Sequence, residues 1–200
     1  MDHHNGTFIL TRPELNAVMA FACDDDTRPH LNCVRFDPEF AQVGATDGHS
    51  LLSCYLPGTA CKKKAFSVPL GALSDARALL RRKRQVLRVT LAARSKLLLL
   101  KVHESDAHKE PLGTINSDYN AKADCSPPLS HVLEQCPKQA TAHGYGVDGR
   151  LLGRLALVGK MGCAELHHLG ASGESFDPIF YKGQAGSVEL TVVFMPMRIE

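Results

Sequence analysis

The chain has 200 residues, of which 44% are hydrophobic, 22% charged and 6% aromatic, with no Trp. These are the proportions of an ordinary soluble globular protein with a real core, and they exclude a disordered tail, a coiled coil and a collagen-like chain. The net charge is +2, from 23 Lys and Arg against 21 Asp and Glu, so any nucleic-acid contact must come from local clustering of cations.

The length leaves room for one large domain or a domain and a half. The seven cysteines are scattered, odd in number and free of any C-x-x-C pair, which argues against a disulfide framework and for a reducing compartment. The densest apolar run, Leu97-Leu98-Leu99-Leu100, is closed by Lys101, too short to span a bilayer. The N-terminus lacks the basic start and apolar stretch of a signal peptide, and a cytoplasmic location is expected.

Thr11-Arg12-Pro13-Glu14 reads as a capping box with Pro in the first turn of a helix. Leu15, Val18, Met19 and Ala22 follow at the spacing of one buried helical face, and Asp24-Asp25-Asp26 is expected to end it. Strand-like runs follow at 32–37, 42–46 and 51–56, separated by turns holding Pro38 and Asp47-Gly48. The order then repeats: a short strand over 65–68, a helix opened by Pro69 with Leu73, Ala76 and Leu80 on one side, and strands over 85–91, 96–103 and 112–116. A Pro-rich stretch from Ser126 to Pro137 reads as a connection. A third round is expected from a strand over 141–147. Its helix, with Asp148 as N-cap, carries Leu151, Leu155 and Val158, and strands follow over 164–168, 176–181 and 187–195. Three strand-helix-strand-strand-strand rounds at roughly sixty-residue spacing mark a repeated unit that hides its apolar faces by packing on another.

Two segments are more specific than this pattern. Ala45-Thr46-Asp47-Gly48-His49-Ser50-Leu51 resembles the A-T-D-G-H-R-L signature of the bacterial DNA polymerase III β sliding clamp, and Val192-Val193-Phe194-Met195-Pro196-Met197-Arg198-Ile199 is similar to the V-M-P-M-R-L with which that clamp ends. Thr27-Arg28-Pro29-His30-Leu31-Asn32 resembles the clamp's R-x-x-L-N stretch, at the matching distance before the first signature. The resemblance implies an α+β DNA-clamp (processivity-fold) architecture of repeated β-α-β-β-β units, with antiparallel sheets and helices on one face. It implies that residues 7–125 form a complete clamp-like domain like the family's middle one. Residues 126–138 would be a linker, and 139–200 would match only the second half of the last domain.

In that family, partners insert a short linear peptide between the middle and last domains. The resemblance therefore implies a peptide-binding slot with Arg28, Leu31, Thr46, Gly48, His49 and Leu51 on one wall and Val193, Met195, Pro196, Met197 and Arg198 on the other. The residue types suit this. Methionines repack around different guests, Gly48 admits a close backbone approach, and Arg28, His49 and Arg198 can bond peptide carbonyls. Taken alone, D-G-H between strands is usually a plain turn, and Met-Pro-Met is usually ordinary packing. Three departures stand out. Ser50 replaces the family's Arg, Asn116-Ser117-Asp118-Tyr119 replaces a Phe-Pro-Asp-Tyr stretch, and Glu200 follows the usual last residue.

The implied partners are clamp-binding peptides of a DNA polymerase or clamp loader, double-stranded DNA, and further copies of the chain. A ring of twelve units would take four chains, and a two-fold dimer would supply six. Alternatives are a non-ring adaptor or inhibitor that sequesters such partners, and an inactive clamp-derived scaffold. For DNA, Arg77, Arg81 and Arg84 fall at i, i+4 and i+7 as one stripe of the second helix, with Arg82 and Lys83 beside it. Arg150, Arg154 and Lys160 belong to the third helix. Such contacts give affinity without base readout. The first helix, nearly free of basic residues after Arg12, argues against a full channel.

No enzyme is expected. The chain has no P-loop, H-E-x-x-H or G-x-G-x-x-G motif. Gly170-Ala171-Ser172-Gly173-Glu174 lacks the last Gly of a nucleophile elbow. Asp47, His49 and Ser50 crowd one turn instead of converging on one substrate atom. Cys163, His167 and His168 lack the second pair of ligands that a metal needs, so no catalytic residue, cofactor or metal is assigned.

Overall fold

The computed structural model describes residues 7–57, 59–61, 64–92, 97–118, 133, 149–163, 165–170 and 178–195. The expected strand over 141–147, its neighbour Asp148 and the connection over 126–138, Leu133 excepted, lie outside the described residues.

The first helix forms where its capping chemistry says it should. Strand β1 (Phe8–Thr11) runs straight into α1 (Arg12–Ala20). Glu14 Oε2 accepts from the Thr11 amide at 2.6 Å and from its hydroxyl at 2.7 Å, tying down a donor the helix start would leave orphaned. Leu15, Ala17 and Val18 are fully buried. The helix ends at Ala20, before the three aspartates, where Phe21 turns its ring into the core and stacks on Phe194 with centroids 6.3 Å apart.

Strands β2 (Cys33–Asp37), β3 (Gln42–Thr46), β4 (Ser50–Tyr55) and β5 (Phe66–Pro69) precede α2 (Leu70–Leu79). Strands β6 (Val86–Ala92), β7 (Leu97–His103) and β8 (Gly113–Asp118) follow it. The two rounds exchange their leading strands. One sheet runs β1-β6-β7-β8, and the other contains β5-β2-β3-β4. Each round thus lends a strand to the other's sheet, which locks them into one core. Phe8 of β1, Phe36 of β2 and Phe66 of β5 meet there, with ring centroids 5.1 to 6.3 Å apart.

The third round supplies α3 (Gly149–Gly153), α4 (Leu155–Lys160), β9 (Leu166–Gly170), β10 (Ile179–Ala185) and β11 (Val188–Phe194). The single expected helix is two short segments broken at Arg154, beside Gly153, and β10 begins and ends later than the expected 176–181. These strands do not form a sheet of their own. β11 pairs antiparallel with β4, giving one continuous sheet in the order β5-β2-β3-β4-β11-β10-β9. Gly183 of β10 allows a close approach here: a Cβ at that position would lie 2.6 Å from Cys163 Sγ and 2.7 Å from the Glu165 carbonyl.

The second helix is shorter than its pattern suggests. It stops at Leu79, so Arg81, Arg82 and Arg84 lie in the turn before β6 and do not extend a helical stripe from Arg77. The cause is local: Leu80 is fully buried, and Gln85 Oε1 accepts from the Arg81 and Arg82 amides at 2.6 and 2.9 Å. That bends the chain toward β6.

Candidate functional site

The hairpin between β3 and β4 is built by its own polar side chains. Asp47 Oδ1 accepts from the His49 and Ser50 amides at 2.9 and 2.7 Å, while Thr46 Oγ1 donates to the Ser50 carbonyl at 2.8 Å. Gly48 takes φ +91°, a conformation open to glycine and costly to residues with a Cβ.

The tail of the chain comes to this hairpin. Val193 pairs with Leu51 and Phe194 with Ser50, and the Met195 amide donates to the His49 carbonyl at 2.8 Å. The two signatures, far apart in sequence, are therefore adjacent strands of one sheet. Pro196, Met197 and Arg198 lie outside the described residues.

Strand alternation then divides the candidate residues between two faces. Leu52 and Cys54 point into the main core, so Leu51 points the other way. It forms a separate apolar cluster with Val193 and Phe180, against which Leu133 packs. Leu51, Phe180 and Val193 are 4%, 1% and 2% exposed, while Met195 nearby is 40% exposed. Beside them, on the same face, lies a depression of about 740 Å³ lined by Ser53, Tyr55, Leu133, Lys182 and Thr191 among others. Arg28 and His49 belong elsewhere: with Asp24, Asp25, Asp47 and Arg154 they line a cleft at the end of α1. Leu31 is partly buried and lines neither hollow.

Arg154 has a role that its sequence context does not reveal. From the break between α3 and α4 it reaches Asp47 Oδ2 at 2.6 Å, donates also to the Ser50 hydroxyl, and lies over the Phe21 ring at 5.6 Å. Ser50, the position where the family motif has Arg, thus receives a guanidinium from another part of the chain. Burial pushes the Asp47 carboxyl up, but the His49 and Ser50 amides and the Arg154 guanidinium outweigh it and hold it below its ordinary value. Arg154 thereby ties the break between α3 and α4 to the β3–β4 hairpin and is not free to face solvent.

The other cations gather on the helical side. Arg81, Arg82 and Lys160 line a hollow of about 500 Å³ with Arg12 and Lys83, between α1, the end of α2 and α4. Arg77 and Arg12 line an adjoining groove. Arg82 also pairs with Glu104 at 3.1 Å. Arg84 and Arg150 line neither. Sequence reasoning placed Lys83 beside this group but missed Arg12 as a member of it, and missed Phe180 and Leu133 as members of the apolar cluster. Only the alternation of Phe180 on its strand could have hinted at the latter. Among the described residues no group of three or more His, Cys, Asp or Glu is placed to hold a metal, and no helix is long and apolar enough to cross a membrane.

No protein-family model matches the sequence, and no curated protein sequence matches it. Solved structures do match. The β subunit of Streptococcus pyogenes DNA polymerase aligns with TM-score 0.62 at 8% identity, over 97% of this chain and 65% of that one. A Pseudomonas aeruginosa sliding clamp bound to griselimycin aligns with TM-score 0.59 at 14% identity, over 96% and 65%. The Thermotoga maritima DNA polymerase III β subunit gives TM-score 0.58 at 12% identity, over 97% and 66%. The chain spans about two thirds of the length of these structures. Its mixed α and β elements, antiparallel sheets and joined strand units have the fold of the bacterial DNA polymerase III sliding clamp.

Proposed function

We propose that this chain is a sliding-clamp-like protein of DNA replication or repair, which binds short peptides of a polymerase or clamp loader at the seam of β4 and β11. It acts as a binding protein. The observation that carries this reading is the Met195 to His49 backbone bond at 2.8 Å, which joins the hairpin signature to the tail signature. An apolar floor flanked by polar groups is what an extended peptide with one or two apolar anchors requires. The clamp fold of the matched structures supports the same assignment.

The test is a fluorescence-anisotropy titration of a labelled clamp-interaction peptide from a bacterial DNA polymerase. Saturable binding, weakened about tenfold or more by Met195→Ala or Val193→Asp, is expected. No binding, or binding indifferent to both substitutions, removes the reading.

A second element of the proposal is non-specific contact with duplex DNA through Arg12, Arg81, Arg82, Lys83 and Lys160, whose clustering around one hollow favours a phosphate backbone as ligand. Oligomerisation into a ring belongs to the same proposal.

A further inference from the structure

The cations of the helical side enclose a space as well as a surface. Arg12, Arg81, Arg82, Lys83 and Lys160 line one hollow of about 500 Å³, and no carboxylate is among its described lining residues. Two carboxylates adjoin it, and both are engaged. Glu14 accepts from the Thr11 amide and hydroxyl, and Glu104 pairs with Arg82 and accepts from Gln85. Among the described residues no ion pair is made by Arg12, Arg81, Lys83 or Lys160. Like charges held round one space without a counter-charge favour an anion there. The walls are not all charged. Pro13 and Leu157 give an apolar side, which the aliphatic stems of the Lys and Arg side chains extend. Asn16 lines the same hollow, partly buried, its carboxamide without a hydrogen-bond partner among the described residues.

We infer that this hollow is a binding site for a nucleoside polyphosphate. Its volume falls within the range of about 300–1,000 Å³ of small-ligand sites. A triphosphate concentrates several negative charges in one short chain. The cations converge on such a chain from three directions: Arg12 from α1, Arg81, Arg82 and Lys83 from the turn after α2, and Lys160 from the end of α4. The base rests against Pro13 and Leu157, and the Asn16 carboxamide, both donor and acceptor, bonds its edge. Duplex DNA asks for less. Its phosphates are spread along a rod at about 3.4 Å per strand and need only cations on an open surface. The inference therefore goes beyond the duplex contact proposed above and does not depend on it, although the two ligands share cations and compete.

The test is isothermal titration calorimetry of the full chain with ATP, AMP and inorganic triphosphate, at fixed ionic strength and without divalent metal. ATP should saturate one site per chain, and AMP should bind about tenfold more weakly or not at all. Replacing Lys83 and Lys160 together by Ala should weaken ATP about tenfold or more. Arg84→Ala removes a neighbouring charge that does not line the hollow and should leave ATP binding unchanged. Asn16→Ala should weaken ATP and leave inorganic triphosphate unaffected. Circular dichroism confirms that each variant is folded. No saturable ATP binding, or equal weakening by Arg84→Ala, overturns the inference, the latter because diffuse charge then explains the affinity. Triphosphate binding as tight as ATP and indifferent to Asn16→Ala overturns the nucleoside assignment. A labelled duplex, titrated separately, keeps the two readings apart: a chain that binds ATP and no duplex upholds this inference and removes the DNA contact.

Discussion

Replacing Arg154 by Met tests whether its tie to Asp47 and Ser50 holds the break between α3 and α4 against the β3–β4 hairpin. The guanidinium makes two hydrogen bonds, one to Asp47 Oδ2 at 2.6 Å and one to the Ser50 hydroxyl, with the two charged side chains only 24% and 12% exposed. A hydrogen bond to a charged group contributes about 1.5–3 kcal/mol, and the stacking over Phe21 adds about 0.5–1 kcal/mol. Removing one partner of a buried pair costs about 3–5 kcal/mol when the other is stranded. Asp47 is not stranded, because the His49 and Ser50 amides still donate to it at 2.9 and 2.7 Å. Methionine also keeps much of the stem's contact with Phe21. The net expected cost is about 2–3 kcal/mol, which at a urea slope of about 2 kcal/mol per molar lowers the unfolding midpoint by about 1 M.

A double-mutant cycle with Asp47→Asn should give a coupling energy above about 1 kcal/mol. The pH dependence carries the same information. Asp47 titrates below its ordinary 3.8 in the folded chain. Its contribution is therefore full above about that pH and is lost as the pH falls through the lower folded value. Arg154→Met should flatten that acid limb. A cost under about 0.5 kcal/mol, the range of an exposed surface pair, or full additivity with Asp47→Asn, would refute the reasoning.

Two further outcomes are expected. His103 is buried, with Nδ1 2.9 Å from the His108 carbonyl, and burial, then the charges of Arg88 and Lys101, hold its titration below the ordinary 6.5. The unfolded chain takes up that proton first, so stability should fall as the pH drops below about 6.5 toward the folded value, and His103→Asn should remove this limb in pH-dependent urea titrations. If the chain binds duplex DNA, the logarithm of affinity should fall with log salt at a slope of about −0.9 per phosphate contacted, and Lys83→Ala or Lys160→Ala should each reduce the slope by about one unit without altering sequence preference.

Much of the local structure was legible. The Thr11 to Glu14 capping box, the Asp47-Gly48 turn and the strand-like runs of β2 to β7 each rest on preferences within a few residues, and those are written in the order of side chains. The end of α2 was not legible, because the arginines after Leu79 continue a helical spacing while Gln85 and the burial of Leu80 stop it. The strand exchange that puts β1 on β6 and β5 on β2 left no local mark either.

The site divides in the same way. Sequence by itself determined the hairpin signature, the tail signature and their residue types. Only the tertiary structure decided that β11 pairs with β4, that Leu51 and Val193 share a face away from Arg28 and His49, that Arg154 turns to Asp47, and that Leu133 packs against the Leu51, Phe180 and Val193 cluster. The reason is physical. Periodicity and capping report how a segment treats its nearest neighbours, whereas pairing between residues more than a hundred positions apart is chosen by the burial that the whole chain achieves together.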